Sequence, residues 1–162
     1  MKTQMQALTS AMKRSISNVL ETMFFLTLEI DSVVSWGQYK SRLDDSFIVA
    51  KLGFSGPLSG FCRLFVPEKL AAEVTADFLG VGKTGLTNRQ INGTVTEIIN
   101  MLAGDTFSHF SPQALFDLTI PELITAREAL NDVHIKDGAE ITLDIRTQGF
   151  TMAFQMVIED GA

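Results

Sequence analysis

Cysteine is almost missing from this chain. Cys62 stands alone among 162 residues, so no internal disulfide can form. Its alternating neighbours Gly60 and Leu64 mark it as a small strand residue, and a reducing cytoplasm is the expected compartment. Long hydrophobic runs are missing too. The densest, Met23-Phe24-Phe25-Leu26, stops at Thr27, far short of the roughly 20 residues a membrane span needs. The first fifteen residues lack a signal peptide's apolar core. Positive charge is scarce: 13 lysines and arginines face 19 acids, for a formal net charge of −6. No basic run exceeds Lys13-Arg14, which argues against a nucleic-acid partner, because binding one requires a basic surface to displace counterions. Only two histidines occur, His109 and His134, with no cysteine partner. Asp105, four residues before His109, offers a local pair but no metal signature. No Gly-x-Ser-x-Gly motif is present and no histidine neighbours a nucleophile, so covalent hydrolase chemistry has no support.

What is present is patterned. Apolar residues make up 46 % of the chain and charged residues 20 %, the balance of a globular domain. Leu8, Met12, Ile16, Val19, Leu20 and Met23 give residues 4–25 helical spacing. Leu26, Leu28 and Ile30 then alternate, predicting a strand over 26–36. Residues 46–66 predict a hairpin, with Ile48, Ala50, Leu52 and Phe54 on one arm and Cys62, Leu64 and Val66 on the other. Its turn falls at Ser55-Gly56-Pro57. Pro67, in the first helical position, and Glu68 predict a helix start, and that helix stops at Gly80.

The order then recurs. Thr87 or Asn88 caps a second long helix running to about Phe107, with Ile91, Val95, Ile98, Met101 and Leu102 on its apolar face. Phe116, Leu118 and Ile120 alternate as a strand closed by Pro121. Residues 125–138 are polar and irregular, with a short strand around Val133–Ile135. Residues 140–158 form a hairpin about Gln148-Gly149. Helix, strand and hairpin thus occur twice, over about 4–79 and 87–159, a period far longer than a solenoid repeat. No linker separates the units, so they share one core in a single domain over 1–162. Each hairpin has one apolar and one mixed face. The predicted fold class is α+β: a mostly antiparallel sheet with long helices packed on it.

Two segments invite a chemical reading. Gly80-Val81-Gly82-Lys83-Thr84 suggests a phosphate-binding loop, but Asp77 stands where the first glycine belongs, and the segment follows a helix end rather than a strand. It reads as a loop between helices. Residues 97–104, Glu-Ile-Ile-Asn-Met-Leu-Ala-Gly, carry more. Glu97 and Asn100 share one helix face, and Gly93 and Gly104 lie one turn to either side of them. Each glycine costs a helix about 0.8–1.0 kcal/mol against alanine. Two readings stand. Either a solvated glutamate neighbours an asparagine bonded to loop backbone, or bare backbone flanks two polar groups because another molecule comes close.

The stretch Glu97-Ile-Ile-Asn100-Met-Leu-Ala-Gly104 resembles the Glu-x-x-Asn signature of the CheC/CheX/FliY chemotaxis phosphatases. Val19-Leu-Glu-Thr-Met-Phe-Phe25, Gly56-Pro-Leu-Ser-Gly60, Val66-Pro-Glu-Lys-Leu-Ala71 and Leu118-Thr-Ile-Pro121 resemble the same family. The likeness therefore covers nearly the whole chain. Gly93 departs from the Asp or Ser often found four residues before the Glu. In the first unit Ser17 and Glu21 keep the spacing, but Phe24 occupies the Asn position. A phenyl ring cannot orient water, so that copy is expected to be inactive, as in CheX-like members.

The resemblance implies hydrolysis of the aspartyl-phosphate of a CheY-like response regulator. Glu97 and Asn100 would be the catalytic pair, and Gly93, Glu97 and Gly104 would face the partner. It also implies that Glu97 pairs with the receiver's active-site lysine. Phosphoryl transfer asks a protein chiefly for positioning, and a carboxamide offers both donor and acceptor without titrating. Asn100 is therefore expected to orient the attacking water. No cofactor is expected on this chain; Mg2+ would arrive with the phosphorylated partner. The expected protein is cytoplasmic, with no membrane or nucleic-acid partner, and its sheet edges offer a route to a homodimer. The alternative is a non-catalytic adaptor of the same fold that binds a receiver domain or another signalling partner.

Overall fold

The computed structural model describes residues 2–131, 135 and 139–159. Helix α1 (Lys2–Ile16) continues into wider, π-helical turns over Ser17–Met23. Strand β1 (Leu28–Val34) and a four-residue helix α2 (Trp36–Tyr39) follow. The first hairpin is β2 (Phe47–Ser55) and β3 (Ser59–Pro67). Helix α3 (Glu68–Leu79) ends at Gly80, whose φ of 68° gives a left-handed cap with its N–H donated to the Ala76 carbonyl. Helix α4 (Asn88–Phe110) is the longest element. Short strands β4 (Asp117–Leu118) and β5 (Glu122–Ile124) and helix α5 (Ala126–Asn131) lead to the second hairpin. Its arms are β6 (Glu140–Thr147) and β7 (Phe150–Glu159). Gln148 and Gly149 both take positive φ, 55° and 78°, the geometry of a two-residue hairpin turn.

The strands make one antiparallel sheet in the order β1-β6-β7-β3-β2, with β4 and β5 both on the far edge of β2. The architecture is α+β, as read from the sequence. The two hairpins join at its centre through β3 and β7. Each lone strand crosses over: β1 pairs with the second hairpin, and β4 and β5 pair with the first. An internal duplication would give this arrangement.

Alternation divides the hairpins as expected. Cys62, Leu64 and Val66 of β3, and Met152, Phe154 and Met156 of β7, enter one large core with Leu8, Met12, Leu70, Val95 and Leu102 of the long helices. The other face is not left to solvent. Val49, Phe65 and Ala153 form a second cluster with Tyr39, Leu43 and Ala129, which α2, the turn after it and α5 supply. Arg63, fully buried in that face, donates to Gln155 Oε1 at 2.8 Å and to the Ala129 carbonyl at 2.9 Å.

Several boundaries differ from the sequence reading. The strand predicted over 26–36 is shorter, because Ser35 caps α2 instead by accepting from the Gln38 N–H at 3.2 Å. Pro67 closes β3 as the residue before α3 rather than its first helical residue. Pro121 interrupts an edge strand without ending it, since pairing to β2 resumes at Glu122; proline lacks only the donor N–H. Residues 126–131 are helical where an irregular stretch was expected. The short strand expected around Val133–Ile135 falls largely outside the described residues.

Candidate functional site

The site is built on α4. Thr87 starts the helix with a reciprocal cap. Its hydroxyl accepts from the Gln90 N–H at 3.1 Å, and the Gln90 side chain accepts from the Thr87 N–H at 2.9 Å. Val95, Ile98, Ile99 and Leu102 bury one side of the helix in the core. Ser15 of α1 donates to the Leu102 carbonyl at 2.9 Å and fixes the two helices together. This packing turns the opposite face outward.

Gly93, Glu97 and Asn100 are exposed on that face and Gly104 is half-buried. Neither the Glu97 carboxylate nor the Asn100 carboxamide has a hydrogen-bond or ion-pair partner among the described residues. A Cβ added at Gly93 or at Gly104 would meet nothing within 4 Å. Glu97 and Asn100 are therefore not engaged by loop backbone. An acceptor, an amide and two stretches of bare helix lie open to an approaching surface.

The corresponding positions of the first unit differ. Glu21 is exposed, but Phe24 is buried with its ring 4.9 Å from that of Phe78. No amide stands at that position. Within α4, Asp105 and His109 form the local pair read from the sequence, 3.4 Å apart, with Asn18 Nδ2 3.1 Å from His109 Nε2. His134 lies outside the described residues. No group of three or more His, Cys, Asp or Glu side chains among the described residues could hold a metal ion. The 80–84 loop lies exposed between helices, with Lys83 paired to Glu73 at 3.0 Å. Burial pushes the Cys62 thiol up, so it stays protonated in the core. Burial and then the nearby Asp144 carboxylate do the same for the Tyr39 hydroxyl. Both groups lie away from the open face.

One feature of the site escaped the sequence reading. A groove begins at Gly104 and runs between Phe107 and Ser108 of α4 and the loop from Ser111 to Leu118. Leu115 on its wall is 91 % exposed, and Ile120 nearby in sequence is 89 % exposed. The alternation of Phe116, Leu118 and Ile120 predicted one strand, but Ile120 falls in the gap between β4 and β5 where the edge strand breaks.

A family model described as chemotaxis phosphatase CheX matches residues 48–145, which include the whole α4 stripe. The chain belongs to the CheX family. CheX from Vibrio vulnificus has the same fold, with a TM-score of 0.71 at 20 % identity over 94 % of this chain and 96 % of that one. CheX in the CheX–CheY–BeF3–Mg2+ complex from Borrelia burgdorferi superposes with a TM-score of 0.73 at 14 % identity, over 94 % and 97 % of the two chains. FliY from Thermotoga maritima, at 15 % identity, covers 91 % of this chain and 84 % of its own with a TM-score of 0.61. No curated protein matches the chain. Among the described residues of this CheX-family chain, no helix is long and apolar enough to cross a membrane.

Proposed function

We propose that this chain accelerates hydrolysis of the aspartyl-phosphate on a CheY-like receiver domain. The observation that carries the proposal is the unengaged Glu97–Asn100 pair on an open helix face. Membership of a family described as a chemotaxis phosphatase supports it, as does a related CheX seen in complex with CheY.

An acyl phosphate is already activated, and its hydrolysis waits on a water in line with phosphorus. Asn100 holds that water by donating to it or accepting from it. Glu97 is a poor base beside a phosphoryl group, because like charges repel. It pairs instead with a lysine of the receiver and sets how far Asn100 reaches in. Mg2+ comes with the receiver and neutralises phosphoryl charge there. Gly93 and Gly104 let the helix lie close against the receiver's loops.

Phosphate release from acyl-phosphorylated CheY-like receivers, with and without this chain, tests the reading. Faster decay supports it. Binding without faster decay favours the adaptor reading and overturns the enzymatic one. Glu97→Ala should raise the KM for phosphorylated receiver by roughly 10- to 150-fold, since a charge-assisted contact is worth about 1.5–3 kcal/mol. An unchanged KM would remove the pairing role.

The glycines make a separate prediction. With open space above it, Gly104→Ala should stabilise the fold by about 0.5–1 kcal/mol. It should also slow receiver dephosphorylation, because a methyl group now holds the partner off. Thermal unfolding and phosphate release on the same sample check both halves. A stabilised variant with full activity would mean that Gly104 is not a contact.

A further inference from the structure

We propose that Leu115 and the groove beside it form a specificity contact, gripping an apolar side chain of the phosphorylated receiver next to the Asn100 site. This inference rests on the phosphatase reading above. Gly104 is at once the last member of the open stripe and the lip of the groove. Four helical residues, about 6 Å of rise, separate it from Asn100. A receiver placed with its phosphoryl group at Asn100 covers Gly104 and so meets the groove. That continuity selects the occupant.

The wall is pinned rather than loose. The Phe116 ring stacks on Phe107, with centroids 4.2 Å apart and planes 13° from parallel. The Ala114 N–H donates to the Ser111 carbonyl at 3.1 Å. The Leu115 carbonyl abuts Gly56, where a Cβ would come within 2.7 Å of it. Between these anchors the Leu115 side chain stands 91 % exposed. A leucine held in water by a fixed loop contributes little to its own fold, whereas a partner that covers it removes apolar area from water. The groove lining carries no charged side chain, so an acidic or basic residue entering it would go unpaired, and Phe107, Leu115, Phe116 and Leu118 favour an apolar one. Glu97 reads charge on the receiver, and the groove reads shape one turn away.

Leu115→Asp and Leu115→Ala in the full chain test this. Turnover is measured on phosphorylated receiver, and binding without turnover on receiver loaded with beryllofluoride and Mg2+. Leu115→Asp should raise KM and weaken that binding on the order of tenfold. Thermal unfolding should not move, because the side chain is exposed. Leu115→Ala should lose less. Unchanged KM and binding for Leu115→Asp would overturn the groove contact and leave the Asn100 reading intact. A fall in kcat with KM unchanged would also overturn it, since Leu115 would then act on the chemistry and not on docking. Failure of the unaltered chain to bind any receiver would overturn both proposals.

Discussion

Asn100→Ala should lower the rate of receiver dephosphorylation by about 10²–10³ while association with the receiver holds, the loss found when one positioned transition-state donor is removed. The separation of the two effects follows from where the residue sits. Asn100 is exposed and unbonded, so its removal leaves no buried group unsatisfied, and alanine is the better helix former. Folding should therefore be unchanged or slightly improved. Docking keeps Glu97, the bare glycines and the groove. What disappears is the group proposed to hold water against phosphorus, so on that reading the loss falls on kcat. Asn100→Asp provides a second measure. It keeps the shape but places a negative charge beside the phosphoryl oxygens, and it should not restore the rate. Single-turnover decay of phosphorylated receiver at saturating protein reads the chemistry, and beryllofluoride-loaded receiver reads the binding. A rate close to that of the unaltered chain would take Asn100 out of the reaction.

Arg63→Ala should lower unfolding stability by about 3–5 kcal/mol, the combined cost of buried acceptors left without a donor and of the cavity left behind. Arg63 is wholly buried, and its guanidinium lies 4.4 Å from the Trp36 ring centroid. Its partner Gln155 donates to the Thr142 hydroxyl at 3.0 Å, and Thr142 donates to Glu140 at 2.7 Å. Glu140 in turn accepts from the Trp36 N–H at 3.1 Å. Alanine would leave the Gln155 oxygen and the Ala129 carbonyl without their donor and open a cavity under α2 and α5. A typical domain has only about 5–15 kcal/mol to lose, so the midpoint in urea should fall markedly. Lysine should rescue only partly, because it lacks the planar fork that serves two acceptors at once. A shift below about 1 kcal/mol would show that the network is replaceable by water, since that is the net worth of one ordinary hydrogen bond.

The contrast between these residues also explains what the sequence disclosed. Helix α4 was legible because its evidence is local. Thr87 or Asn88 marks its start, with Thr87 proving to be the cap, a periodic apolar face runs through it, and two glycines interrupt its outer face where packing does not call for them. The candidate stripe was read from the same local signals, and Glu97 and Asn100 do stand exposed on one face of the helix. The back of the sheet was not. Thr142 and Asp144 alternate with Ile141, Leu143 and Ile145 and look like a solvated row. Both are buried, because Gln155 meets Thr142 and Arg42 reaches Asp144 at 2.6 Å from about a hundred residues away. Local alternation cannot reveal a polar face whose partners arrive from distant elements. Helices α2 and α5, of four and six residues, are too short to show a period. They exist because the second sheet face needs a cover. The groove escaped for a related reason: its floor comes from α4 and its wall from the loop, and only folding brings Leu115 beside Gly104.

The exchange of lone strands has a consequence for cutting this chain. A break in the loop before α4 would leave β1 in one fragment and its neighbour β6 in the other, while β4 and β5 would part from β2. The seam between β3 and β7 would part as well. Neither fragment could close its own sheet, yet each would carry the missing edge of the other. Complementation between two inert pieces is thus written into the order of the strands, and only the reassembled pair would set α4 against the helix that holds its open face outward.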